Sequence, residues 1–179
     1  MLTKNEIIAQ HDVGNIVITP WDPASLGPNS YDVRLAPELM IYKEIVLDAK
    51  RDNRTKTYTI PEEGLVLKPG ILYLGKTVEY TESYDLIPMY EGRSSVGRLG
   101  IYSHVTAGFG DIGFKGNWTL EISVVQPVRV YPNMRIGQLY WHKPEGEIQG
   151  NTYQGKYQGS RDIVASRMWR DRENEKGES

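Results

Sequence analysis

An all-β fold, a small barrel or sandwich, is what this sequence predicts, on three observations. Its apolar residues gather in short runs rich in Ile, Val, Leu and Tyr, broken by Gly, Pro and charged residues, the pattern of many brief strands. Two runs alternate residue by residue. In residues 71–79, Leu72, Leu74 and Lys76 interleave with Ile71, Tyr73, Gly75 and Thr77, and in residues 117–123, Trp118, Leu120 and Ile122 face away from Thr119, Glu121 and Ser123. A helical start stands at the N-terminus, where Thr3-Lys4-Asn5-Glu6 forms a capping-box pattern ahead of Ile7, Ile8 and Ala9.

After that short helix the chain reads as strand. Residues 15–19 and 31–35 are β-type runs on either side of a stretch broken by Pro20, Pro23, Gly27 and Pro28. Residues 39–42, 45–47, 58–60 and 65–67 are four more, interrupted by the charged loop 48–56, and Pro69-Gly70 turns the chain into 71–79. Seven of the eighteen glycines then fall between Gly92 and Gly116, beside charged residues, as in a segment built to approach a ligand closely. Residues 128–131 and 136–141 form a strand, turn and strand around Pro132-Asn133. Beyond Pro144 the chain is rich in Gly, Gln and Tyr and then strongly charged, too poor in apolar residues to fold alone.

Composition narrows the function. At 179 residues the chain is one domain by length, large enough for its own core. A net charge of −2 gives no general attraction to nucleic acid or anionic membrane, so a basic site must be local. The absence of cysteine removes disulfides, thiolate chemistry and the zinc-deaminase signature, and His11, His104 and His142 stand too far apart for metal-ligand spacing. No apolar run approaches the ~18 residues of a membrane span, and no charged-then-apolar leader opens the sequence, so a soluble cytoplasmic protein is expected.

Three pieces of residues 91–121 carry chemistry. Arg93, Ser94, Ser95 and Arg98 supply two guanidiniums, two hydroxyls and a run of backbone donors, an inventory that suits a polyphosphate. Asp111 is bracketed by glycines, and Glu121 lies on the polar side of its strand. Each alone has an ordinary reading as a surface ion pair, a turn or a solvated carboxylate.

Together the pieces resemble the dCTP deaminases of the trimeric dUTPase superfamily, whose EGRSSxxRLG segment, A-G-x-x-D-x-G-F-x-G turn and T-L-E strand match residues 91–100, 107–116 and 119–121. Further matches are LGPNSYDVRL at 26–35, R-I-G-Q-L at 135–139, and Tyr153, Lys156 and Tyr157 ahead of Ser166-Arg167. The resemblance implies a distorted, dUTPase-like β-barrel over residues 1–150 with a short N-terminal helix, and a flexible C-terminal arm, 151–179, closing over the site. It also implies a homotrimer with sites between subunits, for which four Trp and twelve Tyr offer ample interface material.

By the same resemblance Glu121 is the acid-base catalyst, with Arg98 and Ser94 placing the water and stabilising charge, in a hydrolytic deamination without zinc. Arg93, Ser94, Ser95 and Lys156 hold the triphosphate of dCTP or dUTP, with Val96 and Gly97 in the same segment, and Mg²⁺ arrives on the nucleotide. Asp111 accepts the 3′-hydroxyl, Thr119, Leu120 and Glu121 read the base edge through the backbone, and Gln138 and Tyr153 complete the contacts. Gly108-Phe109, where deaminase-only members carry His-Arg, points to members that go on to cleave dUTP, so the product expected is dUMP. One departure stands out: the arm pattern K-Y-x-x-Q places glutamine where this chain has Ser160. A deaminase releasing dUTP, a plain dUTPase and a non-catalytic nucleotide-binding barrel are the alternatives.

Overall fold

The computed structural model describes residues 1–104 and 107–171. Helix α1 (Lys4–Asp12) opens the chain, with Thr3 at its N-cap in extended conformation. The capping box does not form: Thr3 makes no side-chain cap bond, and the Glu6 carboxylate instead lies 3.1 Å from Lys143 Nζ. Ile7, fully buried, ties the helix to the core.

The strands that follow are β1 (Ile16–Thr19), β2 (Tyr31–Arg34), β3 (Glu38–Tyr42), β4 (Thr55–Thr59), β5 (Leu65–Leu67), β6 (Tyr73–Ser83) and β7 (Ile87–Gly92). A single helical turn, α2 (Ser94–Gly97), leads into β8 (Ile101–Tyr102), β9 (Lys115–Val124), β10 (Val128–Val130) and β11 (Arg135–His142). Three sheets result. The largest runs β4-β3-β6-β9-β8 with β1 also on β6, a second is β2-β11-β7, and β5 pairs with β10. The all-β architecture expected from the sequence, with a short N-terminal helix, is thus the one observed. No helix among the described residues is long and apolar enough to cross a membrane.

The core lies between the two larger sheets. Trp118, Leu120, Ile122 and Val124 project from β9, Ile136, Leu139 and Trp141 from β11, and Tyr31 and Val33 from β2, all buried. Two expectations shift. Residues 45–47 form no strand: Ile45 is fully exposed and Val46 nearly so, since no neighbouring strand covers them. The strand expected at 58–60 is β4, which ends at Thr59.

Strand β6 also runs four residues past its expected end. Its buried face there is polar, Thr77, Glu79, Thr81 and Ser83, and each group is satisfied, as burial requires. The indole of Trp118 donates to Thr81 Oγ1 (3.1 Å) and that of Trp141 to Ser83 Oγ (2.8 Å), while Thr77 Oγ1 accepts from Trp118 N (3.0 Å). Glu79, 1% exposed, accepts from the backbone N–H of Arg34 (2.8 Å) and from its Nε (2.7 Å), locking β2 onto β6.

Candidate active site

Alternation along β9 sends Thr119 and Glu121 to the face opposite Trp118 and Leu120. Across the strand pair they meet Lys76 and Leu74 of β6. The glycine-rich turn is fastened beside them: Tyr90 N donates to Gly108 O (2.7 Å), Gly110 N to Pro88 O (3.0 Å) and Gly113 N to Ser83 O (2.8 Å). Gly108 is demanded by close approach, since a Cβ there would stand 2.4 Å from the Tyr90 carbonyl oxygen. Gly113 is demanded by its φ of +83°. The turn so held presents Phe109, 66% exposed, and the exposed Asp111.

The arm lies along the same face. Tyr153 N donates to Ile112 O (2.7 Å), Gly159 N to Lys115 O (2.8 Å), and Ser160 O accepts from Asn117 N (2.8 Å) in a short parallel bridge to β9. Further on, Val164 N donates to Thr119 Oγ1 (3.3 Å) and Ser166 N to Tyr42 OH (2.9 Å). Residues 172–179 of the expected arm lie outside the described residues.

Between strand, turn and arm is a cavity of about 450 Å³, a size that accommodates a small organic ligand. Glu121, Thr119, Asp111, Phe109 and Tyr153 all line it, so five of the residues singled out in the sequence come together there. Ser160 lines it too, but its hydroxyl donates to Asp162 O (3.1 Å) within the arm and does not replace the reach of a glutamine amide. Leu120 is fully buried on the opposite face, so its side chain cannot meet a ligand here.

The remaining candidates are elsewhere in the chain. Ser94, Ser95, Gly97 and Arg98 are exposed on and just after α2, and Val96 is buried beneath them. Arg93 pairs with Asp32 (3.2 Å), which also faces Arg135 (3.6 Å), and Gln138 accepts from Ser30 Oγ (3.3 Å) on the same β2-β11-β7 sheet. Lys156 places its ammonium against both carboxylate oxygens of Asp171 (2.6 and 2.7 Å). Within one chain, therefore, Glu121 and Asp111 line the cavity, and Arg93, Ser94, Ser95, Arg98 and Gln138 do not.

Two residues that sequence reasoning passed over belong to the cavity side. Gln158 joins the arm to the turn by two bonds, accepting from Lys115 N (2.8 Å) and donating to Gly113 O (2.7 Å), and donates within the arm to Tyr153 O (3.0 Å). His104, 5% exposed, bonds through Nδ1 to Oε2 of Glu121. The signal for His104 is the register: Ile101↔Val124 and Tyr102↔Ser123, continued two residues, set position 104 opposite 121, where antiparallel partners share a face. Its ring meets Tyr90 edge-on (5.1 Å, 79°), and Tyr90 donates to Ser103 Oγ (2.9 Å). Burial pushes the Tyr90 phenol well above its usual range, so it stays protonated and able to donate.

Comparison with known proteins places this arrangement in a family. Residues 1–143 match the family model described as dCTP deaminase-like. The chain is 55% identical over 157 residues to the "dCTP deaminase, dUMP-forming" of Hathewaya histolytica, covering 88% of this chain and 91% of that protein. It is 51% identical over 171 residues to the protein of the same name from Leptospira biflexa serovar Patoc, covering 96% and 97%. Among solved structures, the 2′-deoxycytidine 5′-triphosphate deaminase from Agrobacterium tumefaciens aligns with a TM-score of 0.64 at 21% identity, over 80% of this chain and 48% of that one, a likeness of fold. The chain belongs to the dCTP deaminase-like family.

Proposed function

We propose that this protein is a bifunctional hydrolase that takes dCTP and two waters to dUMP, ammonia and pyrophosphate. The observation that carries the reading is the meeting of Glu121 and Asp111 in one cavity lined by the arm. Attack of water on C4 of cytosine needs a base for the water proton, and protons for the ring nitrogen and the departing amine. A carboxylate within hydrogen-bond reach performs all of these transfers in turn. Glu121 takes that role. Asp111, at the other side of the cavity, accepts the 3′-hydroxyl, and Tyr153 covers the sugar from the arm.

The triphosphate needs cations and donors, and among the described residues no lysine or arginine lines this cavity. Arg93, Ser94, Ser95 and Arg98 supply them, and their separation from Glu121 within one chain supports a site completed by a neighbouring copy. A homotrimer with three such sites is the assembly we infer, with Gln138 and Lys156 on the phosphate side. Mg²⁺ enters on the triphosphate.

Cleavage on to dUMP is supported by the names of the relatives at 55% and 51% identity. Gly108 adds nothing to that support, because its contact with the Tyr90 carbonyl explains the glycine without reference to phosphate. The test is Glu121→Gln. Ammonia release from dCTP should fall by at least about 10²-fold, the scale of a positioned acid-base group, with nucleotide binding retained. Ammonia release near the wild-type rate would end the assignment of Glu121.

A further inference from the structure

We propose that His104 is a positioning residue for the deamination, holding the Glu121 carboxylate by donating from Nδ1 to Oε2 so that its other oxygen is presented to the water and the amine. The inference rests on the reading of Glu121 as the acid-base group and adds a residue to it.

Three observations carry it. A carboxylate only accepts, so in this contact Nδ1 is the donor. The imidazole is 5% exposed, and its plane is fixed edge-on against Tyr90 (5.1 Å) and Trp118 (6.5 Å). Those rings are themselves tied down, Tyr90 to Ser103 (2.9 Å) and Trp118 to Thr81 (3.1 Å). Glu121, by contrast, is a third exposed and carries rotatable bonds that the cavity alone does not restrain. A fixed donor removes that freedom before substrate arrives, the same logic by which a buried partner orients the working side chain in catalytic triads and metal sites.

The pair also explains a feature of the fold. β8 stops at Tyr102, two residues short of the level of Glu121, so the chain leaves the ladder and the His104 side chain takes up the polar contact where backbone pairing ends.

The experiment compares His104→Phe, which keeps an aromatic ring and loses the donor, with His104→Asn, whose amide restores a donor near the Nδ1 position. Steady-state ammonia release from dCTP gives kcat and KM, and Glu121→Gln is run in parallel. His104→Phe should lose about 10²-fold in kcat with KM within a few-fold of wild type, and His104→Asn should regain most of the loss. Unchanged kcat in His104→Phe overturns the proposal. So does a loss seen only in KM, or an Asn variant as poor as the Phe variant, since either would mean that His104 serves packing or binding. If His104→Phe yields no folded protein, His104→Asn decides alone, and a kcat below a tenth of wild type counts against us. Should Glu121→Gln keep its activity, the reading of Glu121 fails, whereas an inactive Glu121→Gln beside a normal His104→Phe sinks this inference alone.

Discussion

Gln158→Ala tests how the arm is held. The side chain makes three hydrogen bonds: those with Lys115 N and Gly113 O join the arm to the glycine-rich turn, and that with Tyr153 O lies within the arm. At about 1 kcal/mol net for each of the two bonds that cross to the turn, their removal costs docking ~2 kcal/mol. Each 1.4 kcal/mol is roughly a tenfold change, so the undocked population should rise by about 30-fold. Amide hydrogen exchange reads this directly. The N–H groups of Tyr153, Gly159 and Val164, bonded to Ile112, Lys115 and Thr119, should exchange about 30-fold faster by local opening. Leu120, within the β6–β9 pair, should not change. Because closure excludes water and completes the cavity, kcat/KM for ammonia release should fall between about 10- and 10²-fold. Arm amides exchanging at wild-type rates would refute the clamp, and faster exchange with unaltered turnover would refute the need for closure.

Arg34→Ala leaves the Glu79 carboxylate, 1% exposed, without its cationic partner, and should lower unfolding stability by about 3 kcal/mol in a denaturant titration. A loss under about 1 kcal/mol would mean that solvent reaches Glu79 readily. Mixing inactive Glu121→Gln subunits with inactive Arg98→Ala subunits, after dissociation and reassembly, should recover part of the ammonia-releasing activity, because some sites then pair an intact cavity with an intact phosphate segment. No recovery from subunits shown to have mixed would place both residues in one chain's site.

Much of the fold was legible because burial on β9 and β11 follows apolar periodicity: Trp118, Leu120 and Ile122 announce their strand. The last four residues of β6 were not legible, because their buried face is Thr81 and Ser83, made acceptable by indole partners distant in sequence. Residues 45–47 show the converse: they are apolar and two of the three are β-branched, yet among the described residues no strand pairs with them. Glu6 had a local capping role available and took Lys143 instead, a competition that a four-residue pattern does not contain.

The site divides in the same way. Glu121, Thr119 and Asp111 were readable as residues with chemistry on an exposed face or turn, and the cavity joins them. Arg98 is closer in sequence to Glu121 than Tyr153 is, yet Tyr153 lines that cavity and Arg98 does not, because nearness along the chain does not set a common face. His104 looked inert when histidines were weighed only as metal ligands. Its partner is set by cross-strand register, which appears only once β8 and β9 are paired.

The most direct test of the account is to incubate the purified protein with dCTP and Mg²⁺ and to measure ammonia, pyrophosphate and the nucleotide product together. Ammonia and pyrophosphate released in equal amounts, with dUMP as the end product, is the predicted result. Accumulation of dUTP with added dUTP left intact would reduce the protein to a deaminase, and an absence of ammonia would contradict the role given to Glu121 and its cavity.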